Sequence, residues 1–570
     1  MTAFVPPRPW IASYAAGVPE DIGPIAGSLV DIVTASAASH PDAVALEFFG
    51  STTTYRSLDE QIRRVAAALH AHGVRPGDPV ALVLPNCPQH IVAFYAVLRI
   101  GGVVVEHNPL YTPRELRKQF EDHGARHAIV WSKTVQTLQD FPQDLRVDTL
   151  VSVDVTEAMP WTTRGALRLP IPKARASRAA LTTRVTDAVS WRSLIGHAPL
   201  SPDHPAPATG DVALLQYTSG TTGTPKGASL THRNLLANAA QARAWVPTIA
   251  RGEGCVVYAV LPMFHAYGLT LCLTFAMSMG ARLVLFPRFD PALVLKVARR
   301  RPATFLPLVP PIADRLLSEA RRAGVSLAGI QVAISGAMAI PHDLVVPFES
   351  ETGGYLVEGY GLSECSPVLM ANPVAENRKP GTVGLPLPGT ECRVVDPDDL
   401  SRDVPQGAEG ELLVRGPQVF SGYHGKPEET EAVFVDGWFR TGDIVTIDDD
   451  GFVRIVDRIK ELIITGGFNV APTEVEQVLR RFPGVSDVAV VGMPSEHSGE
   501  EVVAAVVLDP GVDDIDRAAL DAFARGILTP YKVPRRIVVV EELPTSLIGK
   551  VLRRRVREDL LSDPRSHTTP

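Results

Sequence analysis

The sequence predicts an α/β protein with a large N-terminal part, built of α/β subdomains, and a small α/β domain at the C-terminus. Short apolar runs of strand length alternate with longer helical segments, which is typical of sheets covered by helices. The alternation begins again after Lys460, so a second folding unit is expected there. With 570 residues, the chain also exceeds the size at which a single core keeps growing.

Three predicted strands in the N-terminal part lead into loops that could carry a site. Residues 80–84 are followed by a Pro-Asn loop and a helix at 90–100, and residues 256–261 lead in the same way to an apolar segment at 266–281. Residues 212–217 form a further buried strand. Ligands of such folds gather beyond the carboxyl ends of strands, so these loops are candidate binding sites.

The C-terminal part has its own set of predicted elements. Residues 452–456 form a short strand, and after Lys460 a helix at 516–527 accompanies strands at 485–491, 502–508 and 536–540. We therefore place a domain boundary at 457–460, which gives an N-terminal domain of residues 1–457 and a C-terminal domain of 458–570.

Composition excludes several classes of protein. The formal charge of -8 argues against a nucleic-acid partner, which would need a clearly basic face. The cysteines are odd in number, widely spaced and without a Cys-x-x-Cys pair, so neither a disulfide framework nor a zinc site is indicated. They are Cys87, Cys255, Cys272, Cys365 and Cys392. The proline-rich N-terminus lacks the apolar core of a secretory signal, and the uncharged run at 266–281 is shorter than the ~20 residues that span a bilayer. We expect a cytoplasmic protein.

The segment that follows the strand at 212–217 has the composition of a phosphate-binding loop. Its glycines let backbone N–H groups approach phosphate oxygens, its hydroxyls add donors, and Lys226 adds a positive charge. A Walker A loop would need Gly directly before the lysine, where Pro225 stands, so this is a phosphate loop of another type. The alternative is a Ser/Thr/Gly linker. The candidate ligands are Thr218, Ser219, Gly220, Thr221, Thr222, Gly223 and Lys226.

Further motifs follow in a fixed order, and together they resemble a known superfamily. They are Tyr-Gly-Leu-Ser-Glu at 360–364, Trp-Phe-Arg-Thr-Gly-Asp at 438–443, Asp-Arg-Ile-Lys at 457–460, the segment from Gly466 to Glu474, and Pro-Thr-Ser-Leu-Ile-Gly-Lys at 544–550. With the loop at 217–227, this set resembles the adenylate-forming superfamily of acyl-CoA synthetases, peptide-synthetase adenylation domains and firefly-type luciferases. The resemblance covers residues 10 to 555, nearly the whole chain.

The resemblance implies that ATP activates a carboxylic acid as an acyl-AMP on a large adenylate-forming domain. It implies that Glu364 and Thr218 hold Mg²⁺, that Ser363 reaches a phosphate and that Tyr360 lies against adenine. Asp443 would accept hydrogen bonds from the ribose, and Arg458 would contact the nucleotide. Without these neighbours, Glu364 would be a surface salt-bridge partner. The remaining implied nucleotide contacts are Gly336, Ala337, Glu358, Gly359, Gly361 and Ile455.

The resemblance also implies a second step, in which a thiol attacks the acyl-AMP. Lys550 would act on the α-phosphate and carboxylate during adenylation, Lys460 would be the hinge of a mobile C-terminal domain, and Gly466 with Gly467 would admit the pantetheine arm of coenzyme A. His265 would meet the acid near its carboxylate; the alternative is a satisfied core histidine. Leu269 stands where some long-chain relatives have an aromatic gate, so such a gate is not expected here.

Several motif neighbourhoods are similar to those of bacterial long-chain fatty acyl-CoA synthetases, so a medium- or long-chain fatty acid is the expected substrate. They are the segments 108–116, 358–360, 365–367 and 416–419. The alternatives are a fatty acyl-AMP ligase that loads a carrier protein, a catalytically silent acyl-binding protein and a luciferase-type oxygenase. The apolar stretches at 266–279 and 306–311 could line an acyl tunnel or form plain core.

One segment indicates a membrane contact. Residues 160–185 carry six cationic residues and no acidic one, which would suit a surface on anionic lipid. The alternative is a solvated surface. The cations are Arg164, Arg168, Lys173, Arg175, Arg178 and Arg184. A homodimer is left open by the sequence.

Overall fold

A computed structural model describes residues 8–218, 225–465, 468–495, 499–546 and 549–562. The chain divides into two compact units. The larger unit comprises Trp10–Glu391 and Arg415–Gly437, and the smaller unit comprises Cys392–Val414 and the chain from Trp438 onward. The predicted boundary at 457–460 lies within the smaller unit, so the position of a mobile domain stays a prediction.

The larger unit contains a nine-stranded sheet whose interior strands are parallel. Its two outermost pairings at one end, and the last pairing at the other, are antiparallel. In spatial order the strands are Leu385–Pro386, Val368–Ala371, Tyr355–Gly361, Val332–Ser335, Phe305–Leu308, Val256–Ala259, Arg282–Leu285, Val44–Phe48 and Ser51–Thr54. The carboxyl ends of the parallel strands meet at one edge, which therefore collects the loops that follow residues 259, 308, 335 and 361.

A seven-stranded sheet completes the sheet framework of the larger unit. It is parallel except for its last strand, which returns as a hairpin partner. In spatial order the strands are Val189–Ser190, Thr149–Val153, His127–Trp131, Pro79–Val83, Val103–Glu106, Val212–Thr218 and Lys226–Thr231. The predicted strands at 80–84, 212–217 and 256–261 are confirmed, with ends shifted by one or two residues.

Helices accompany both sheets of the larger unit, and a short strand, Phe434–Val435, lies outside them. The α-helices are Leu29–Ser39, Tyr55–Ala71, Pro88–Arg99, Pro113–His123, Val135–Gln139, Trp161–Leu167, Pro172–Leu181, Trp191–Ile195, His232–Trp245, Ala266–Gly268, Phe275–Met279, Pro291–Ala298, Pro310–Ala323, His342–Thr352 and Pro427–Glu431. Shorter 3-10 turns are Pro9–Ser13, Ser132–Thr134, Gln143–Leu145, Val155–Ala158, Gly252–Gly254 and Ser363–Cys365.

Capping residues set both ends of the helix Pro113–His123. The side chain of Thr112 accepts a hydrogen bond from the backbone N–H of Glu115, and the carboxylate of Glu115 accepts one from the N–H of Thr112. Proline at the first helical position costs no hydrogen bond, and Gly124 ends the helix with φ +61°. The helix carries Gln119 and Phe120 inward, next to the candidate site.

The apolar segment predicted as a buried helix is helical from Ala266 to Met279, but not uniformly. Residues Leu269–Thr274 form a π-helix between two α-helical stretches, and all six are buried. Widened turns of this kind occur frequently at functional sites, and this one begins four residues after His265. Within the described ranges, no helix is both long and apolar enough to cross a bilayer.

The smaller unit contains two sheets. The first places Asp399–Asp403, Glu391–Asp396, Gly410–Arg415 and Trp438–Ile447 side by side, and Trp438–Ile447 pairs in addition with Val453–Arg458. The second has the order Phe468–Val470, Ile463–Thr465, Gly499–Leu508 and Val485–Ser495, with Arg536–Val539 paired to Gly499–Leu508. Its helical elements are Ile459–Glu461, Pro472–Leu479, Arg517–Arg525 and Arg553–Ser562.

The second sheet of the smaller unit buries both faces. Val488 and Val490 pack on one face with residues of the helices Pro472–Leu479 and Arg517–Arg525. Ala489 and Val491 pack on the other with Val556 and Leu560 of the last helix. Alternate residues of a strand point to opposite faces, so this continuous apolar run builds two cores. The elements predicted at 485–491, 502–508, 516–527 and 536–540 are confirmed.

Two neighbouring glycines provide a test of close packing at the edge of the nine-stranded sheet. Gly381 and Gly384 have φ of +81° and +83°, but a Cβ on Gly384 would lie 2.0 Å from the carbonyl carbon of Ala371, whereas one on Gly381 meets nothing within 4 Å. We expect Gly381→Ala to cost about 1–2 kcal/mol through backbone strain and Gly384→Ala about 3 kcal/mol or more, because steric overlap adds to the same strain. Scanning calorimetry of both variants measures this, and equal losses in Tm would contradict it.

Candidate active site

The predicted phosphate loop connects two strands that pair antiparallel, Val212–Thr218 and Lys226–Thr231. Tyr217 pairs with Gly227, and Thr218 pairs with Lys226. Lys226 is therefore held at the first position of the returning strand. Residues Ser219, Gly220, Thr221, Thr222, Gly223 and Thr224 lie outside the described residues, as does the side chain of Thr218. Their roles in phosphate and metal binding stay predictions.

The base of this hairpin is anchored by a buried polar cluster. The Tyr217 hydroxyl donates a hydrogen bond to Asp122 Oδ2 at 2.6 Å, and Lys426 forms an ion pair with the other oxygen of Asp122. The Tyr217 ring stacks on His107, with centroids 6.2 Å apart. Burial lowers the pKa of His107 to about 4, so this imidazole is neutral at physiological pH. The cluster fixes where the loop leaves the sheet.

The segment at 360–364 lies at the carboxyl edge of the nine-stranded sheet. Tyr360 is nearly buried in the strand Tyr355–Gly361, and the turn Ser363–Cys365 follows at once. Glycine is required at 361, because a Cβ there would lie 1.8 Å from the carbonyl oxygen of Pro367. Glu364 lies on the turn that follows this close approach, with 9% of its surface exposed.

Tyr423 connects Glu364 to the hairpin. Its hydroxyl donates a hydrogen bond to Glu364 Oε1 at 2.8 Å, and Lys226 Nζ lies 5.2 Å from the centroid of its ring. Burial, followed by the negative charge of Glu364, raises the pKa of Tyr423, so its hydroxyl stays protonated. The structure thus brings together two predicted site residues, Glu364 and Lys226, through a residue that sequence reasoning missed.

A second loop at the same sheet edge carries Gly336 and Ala337. Ala337 has φ +66°, a left-handed conformation that is uncommon for a residue with a Cβ and that clusters at functional sites. The buried hydroxyl of Ser335, the last residue of the strand before this loop, has no hydrogen-bond partner among the described residues. A Cβ on Gly336 would approach the Tyr267 ring to 3.0 Å. This loop therefore has the strain and the unsatisfied donor expected beside a ligand.

The loop that carries His265 is held by two buried amides from the other sheet. Asn86 donates to the carbonyl oxygens of Ala259 and Leu261 at 3.0 and 2.7 Å and accepts from the N–H of Met263 at 2.8 Å. Gln216 donates to the carbonyl oxygen of Phe264 at 3.1 Å, and its own Oε1 lacks a partner in the described part of the chain. The residues before His265 are thus fixed on both sides.

The environment of His265 favours a neutral imidazole whose Nε2–H can donate a hydrogen bond. Its Nδ1 accepts a hydrogen bond from the backbone N–H of Tyr267 at 3.4 Å, so the neutral ring carries its proton on Nε2. Burial lowers the pKa of His265, which favours this neutral form. Tyr267 donates to the carbonyl oxygen of Ile334 at 2.7 Å and ties the His265 turn to the neighbouring strand. This geometry is consistent with a residue that meets the acid.

Glu358 occupies a different environment from the other predicted residues. Its carboxylate accepts hydrogen bonds from the Asn372 amide at 2.9 Å and from the N–H of Gly381 at 3.1 Å, and burial raises its pKa. Protein groups therefore hold both of its oxygens. Gly359, next in the strand, lies close to Ile334, since a Cβ on it would approach Ile334 Cγ2 to 3.0 Å.

The smaller unit brings together its own set of predicted residues. Asp443 and Arg458 are register partners on adjacent antiparallel strands, and Arg458 Nε lies 2.9 Å from Asp443 Oδ1. Ile455 pairs with Val445 on the same two strands. Asp443 is only 1% exposed. A carboxylate can accept hydrogen bonds from the hydroxyl groups of a ligand.

Lys550 lies close to this pair and is bonded twice to Ser546. The N–H of Lys550 donates to Ser546 Oγ at 3.1 Å, and the N–H of Ser546 donates to the carbonyl oxygen of Lys550 at 2.7 Å. Desolvation, followed by the positive charge of Arg458, lowers the pKa of Lys550. Lys460 lies exposed on the turn Ile459–Glu461, while Gly466 and Gly467 fall outside the described residues.

Arg553 connects the lysine loop to the turn at 459–461. Its guanidinium donates to both oxygens of Glu476 at 2.9 and 2.8 Å and to Thr473 Oγ1 at 2.9 Å, and it pairs with Glu461. Its Nη1 also lies 3.9 Å from Asp457 Oδ1. Burial lowers the pKa of Arg553, but these carboxylates outweigh it and raise the pKa overall. Four separate parts of the smaller unit thus meet at one side chain.

Across the described residues, no three His, Cys, Asp or Glu side chains converge to form a metal cage. Mg²⁺ usually keeps several waters and is bound by one or two carboxylates together with phosphate oxygens. Glu364 could supply such a carboxylate, with Tyr423 bound to its Oε1 and its Oε2 as the candidate ligand.

The chain is similar to known proteins over most of its length. Residues 33–424 match the family described as AMP-binding enzyme, and residues 474–550 match the AMP-binding enzyme C-terminal domain. The chain belongs to this family. Long-chain-fatty-acid–CoA ligases of Bacillus subtilis and Salmonella typhimurium are 38% and 40% identical to this AMP-binding enzyme, over 97% and 96% of its chain and 98% of each relative. The resemblance to adenylate-forming acyl-CoA synthetases is confirmed.

Solved structures share the fold of this AMP-binding enzyme. ATP-bound MatB from Rhodopseudomonas palustris is 30% identical with a TM-score of 0.77, over 94% of this chain and 99% of that chain. A Mycobacterium tuberculosis fatty acyl CoA synthetase is 27% identical with a TM-score of 0.72, over 95% and 99%. The predicted α/β architecture with a smaller C-terminal domain is confirmed.

Sequence reasoning missed four residues that hold the site of this AMP-binding enzyme. They are Asn86, Asp122, Gln216 and Tyr423. Asn86 stands in a loop directly after a predicted strand, a position that could have marked it. Tyr423 lies between two glycines, in a pattern typical of a turn. For Asp122 and Gln216 the sequence carries no such signal.

Proposed function

We propose that this enzyme activates a medium- or long-chain fatty acid with ATP to an acyl-AMP and transfers the acyl group to coenzyme A. One observation carries the proposal: relatives that match 96–97% of the chain at 38–40% identity are long-chain-fatty-acid–CoA ligases. The local geometry supports it, since Glu364, Lys226 and His265 stand at strand ends or in the turns beside them in the larger unit. Asp443, Arg458 and Lys550 are gathered in the smaller unit.

Each residue is assigned a task that its environment suits. When the carboxylate attacks the α-phosphate, negative charge builds on the phosphoryl oxygens, and Mg²⁺ bound at Glu364 and Thr218 would neutralise part of it. Lys226 supplies a cation at the phosphate loop, and the Nε2–H of His265 orients the acid. Asp443 and Tyr360 hold the nucleoside, and Lys550 stabilises the α-phosphate and the reacting carboxylate during adenylation.

We propose that the C-terminal domain pivots near 457–460 between the two steps. Lys460 is exposed on a short turn and can absorb a backbone change. Thioester formation would bring Gly466 and Gly467 to the acyl-AMP, where the absence of side chains leaves room for the pantetheine arm of coenzyme A. One site then serves two reactions in sequence.

The proposal is tested with purified protein, ATP, Mg²⁺, coenzyme A and a series of acids from acetate to oleate. We expect AMP and acyl-CoA in equal amounts, with a maximum at medium or long chains. Acyl-AMP without thioester would favour a ligase that loads a carrier protein. The absence of pyrophosphate exchange with every acid would favour a silent acyl-binding protein and overturn the proposal.

Lys550→Ala should separate the two half-reactions. We expect the variant to lose acyl-AMP formation by more than ~100-fold, because a charge stabilising the transition state is removed, and to keep thioester formation from supplied acyl-AMP. Gly467→Trp should do the reverse by blocking the pantetheine path. Pyrophosphate exchange and thioester release measure the two steps, and an equal loss of both in Lys550→Ala would refute this division.

We propose that the segment 160–185 binds the surface of an anionic membrane. It forms the helices Trp161–Leu167 and Pro172–Leu181, and Trp161 is 82% exposed, with Leu169 and Ile171 about half exposed. Among the described residues, none of its six cations pairs with a carboxylate. Unpaired cations beside exposed aromatic and aliphatic side chains are typical of interfacial helices.

Co-sedimentation with phosphatidylserine-containing vesicles tests this surface. Replacing Arg164, Arg168, Arg175 and Arg178 by Gln should weaken binding by more than ~100-fold, since each cation near the surface contributes about 1 kcal/mol. The matched control replaces four arginines that lie on other helices, each already paired with a carboxylate of its own helix. They are Arg117, Arg322, Arg525 and Arg554. Equal weakening by both sets would contradict a specific surface. A cytoplasmic location and a homodimer stay predictions from the sequence.

A further inference from the structure

Tyr423 lies between two groups of opposite charge that both serve the proposed reaction. Its hydroxyl donates to Glu364 Oε1 at 2.8 Å, and its ring faces Lys226 Nζ, 5.2 Å from the centroid. Lys226 and Glu364 do not form an ion pair with each other, although both belong to the described part of the chain. The tyrosine therefore contacts both charges while they stay apart.

The backbone around Tyr423 is fixed to both neighbours. The N–H of His424 donates to the carbonyl oxygen of Gly227 at 2.8 Å, and Tyr423 forms an isolated bridge with Ala228. On the other side, the N–H of Phe420 donates to the carbonyl oxygen of Glu364 at 2.7 Å. The segment 420–424 thus connects the strand after the phosphate loop to the turn that carries Glu364.

Two further contacts fix the tyrosine itself. Its N–H donates to Thr430 Oγ1 at 2.9 Å, and its ring packs edge-on against Phe420 with centroids 5.0 Å apart. A ring held on its backbone and on its edge has little rotational freedom, so its hydroxyl defines where Oε1 of Glu364 lies. This is the arrangement by which an outer residue orients a metal-binding carboxylate.

We propose that Tyr423 is a positioning residue that orients the Glu364 carboxylate for Mg²⁺ and keeps Lys226 from neutralising it. The inference rests on the proposed function, in which Glu364 binds the metal and Lys226 the phosphates. By occupying Oε1, the hydroxyl leaves Oε2 as the metal ligand. By facing Lys226 with its ring, it holds the cation through a cation–π contact and leaves its donors available for phosphate oxygens.

Tyr423→Phe tests the hydroxyl alone, because the ring and its contact with Lys226 are kept. We expect the free Mg²⁺ concentration for half-maximal pyrophosphate exchange to rise about tenfold or more, as expected for a lost hydrogen bond to a charged group. At saturating Mg²⁺ the kcat should return to within about twofold of the parent, because only the orientation of the ligand is lost. Tyr423→Leu removes the ring as well, and should in addition raise the KM for ATP.

Tyr355→Phe is the matched control. Tyr355 also donates its hydroxyl to a carboxylate, Glu376 Oε1, at 2.9 Å, and it begins the strand that ends at Gly361, but it lies outside the site. The control should change neither Mg²⁺ dependence nor the KM for ATP. A Tyr423→Phe variant with unchanged Mg²⁺ dependence would overturn the inference. So would a lower kcat at saturating Mg²⁺ accompanied by a lower Tm, because that pattern marks a merely structural role.

Glu364→Gln separates this inference from the function on which it rests. If Glu364→Gln shifts the Mg²⁺ dependence and Tyr423→Phe does not, the role of Tyr423 fails while the role of Glu364 stands. If neither variant shifts it, the proposed metal ligand fails and the inference falls with it. In the double variant we expect the two shifts to be less than multiplicative, since both act on one carboxylate. Independent, multiplicative effects would contradict the coupling.

Discussion

The candidate site of the larger unit depends on the hydrogen bonds that the side-chain amide of Asn86 forms. The candidate site takes loops from two sheets, and each sheet alone fixes only its own loops. Asn86 follows a strand of the seven-stranded sheet and bonds three backbone groups at the end of, and just after, the strand Val256–Ala259 of the nine-stranded sheet. Only 3% of the surface of Asn86 is exposed. If its amide lost these partners, the unmet desolvation penalty would destabilise the fold by about 1–3 kcal/mol. The contact therefore sets the position of the sheets relative to each other.

Charge at the site is controlled by neutral residues as much as by charged ones. Tyr423 stands between Lys226 and Glu364, and burial favours the neutral form of His265. Hydroxyl and imidazole groups can direct a carboxylate or a cation without cancelling its charge. In a partly buried site, where a direct ion pair would be strong, this preserves the charges for an incoming ligand.

Local patterns in the sequence predicted the elements, and the motifs predicted the site residues that stand on strand ends. The strand at 212–217, the paired strands of the C-terminal domain and the buried segment from Ala266 follow from apolar periodicity alone. The contacts that hold the site could not be predicted in this way. Tyr217 and Asp122 are 95 residues apart, and Asn86 and Met263 are 177 apart. A hydroxyl or an amide has no periodicity, so its partner is decided only when the sheets pack. The π-helical turn at Leu269–Thr274 was missed for a related reason, since its residues differ little from those of a regular buried helix.

Arg553 couples the turn that carries Lys460 to the segment that follows Lys550. It stands three residues after Lys550 and bonds Glu476 and Thr473 of one helix and Glu461 of the turn that carries Lys460. A displacement of that turn would therefore pull on the start of the last helix through the Arg553 guanidinium. If Lys550 acts on the α-phosphate as proposed, the accuracy with which its ammonium is placed depends on a neighbouring side chain to which no contact with the substrate is assigned.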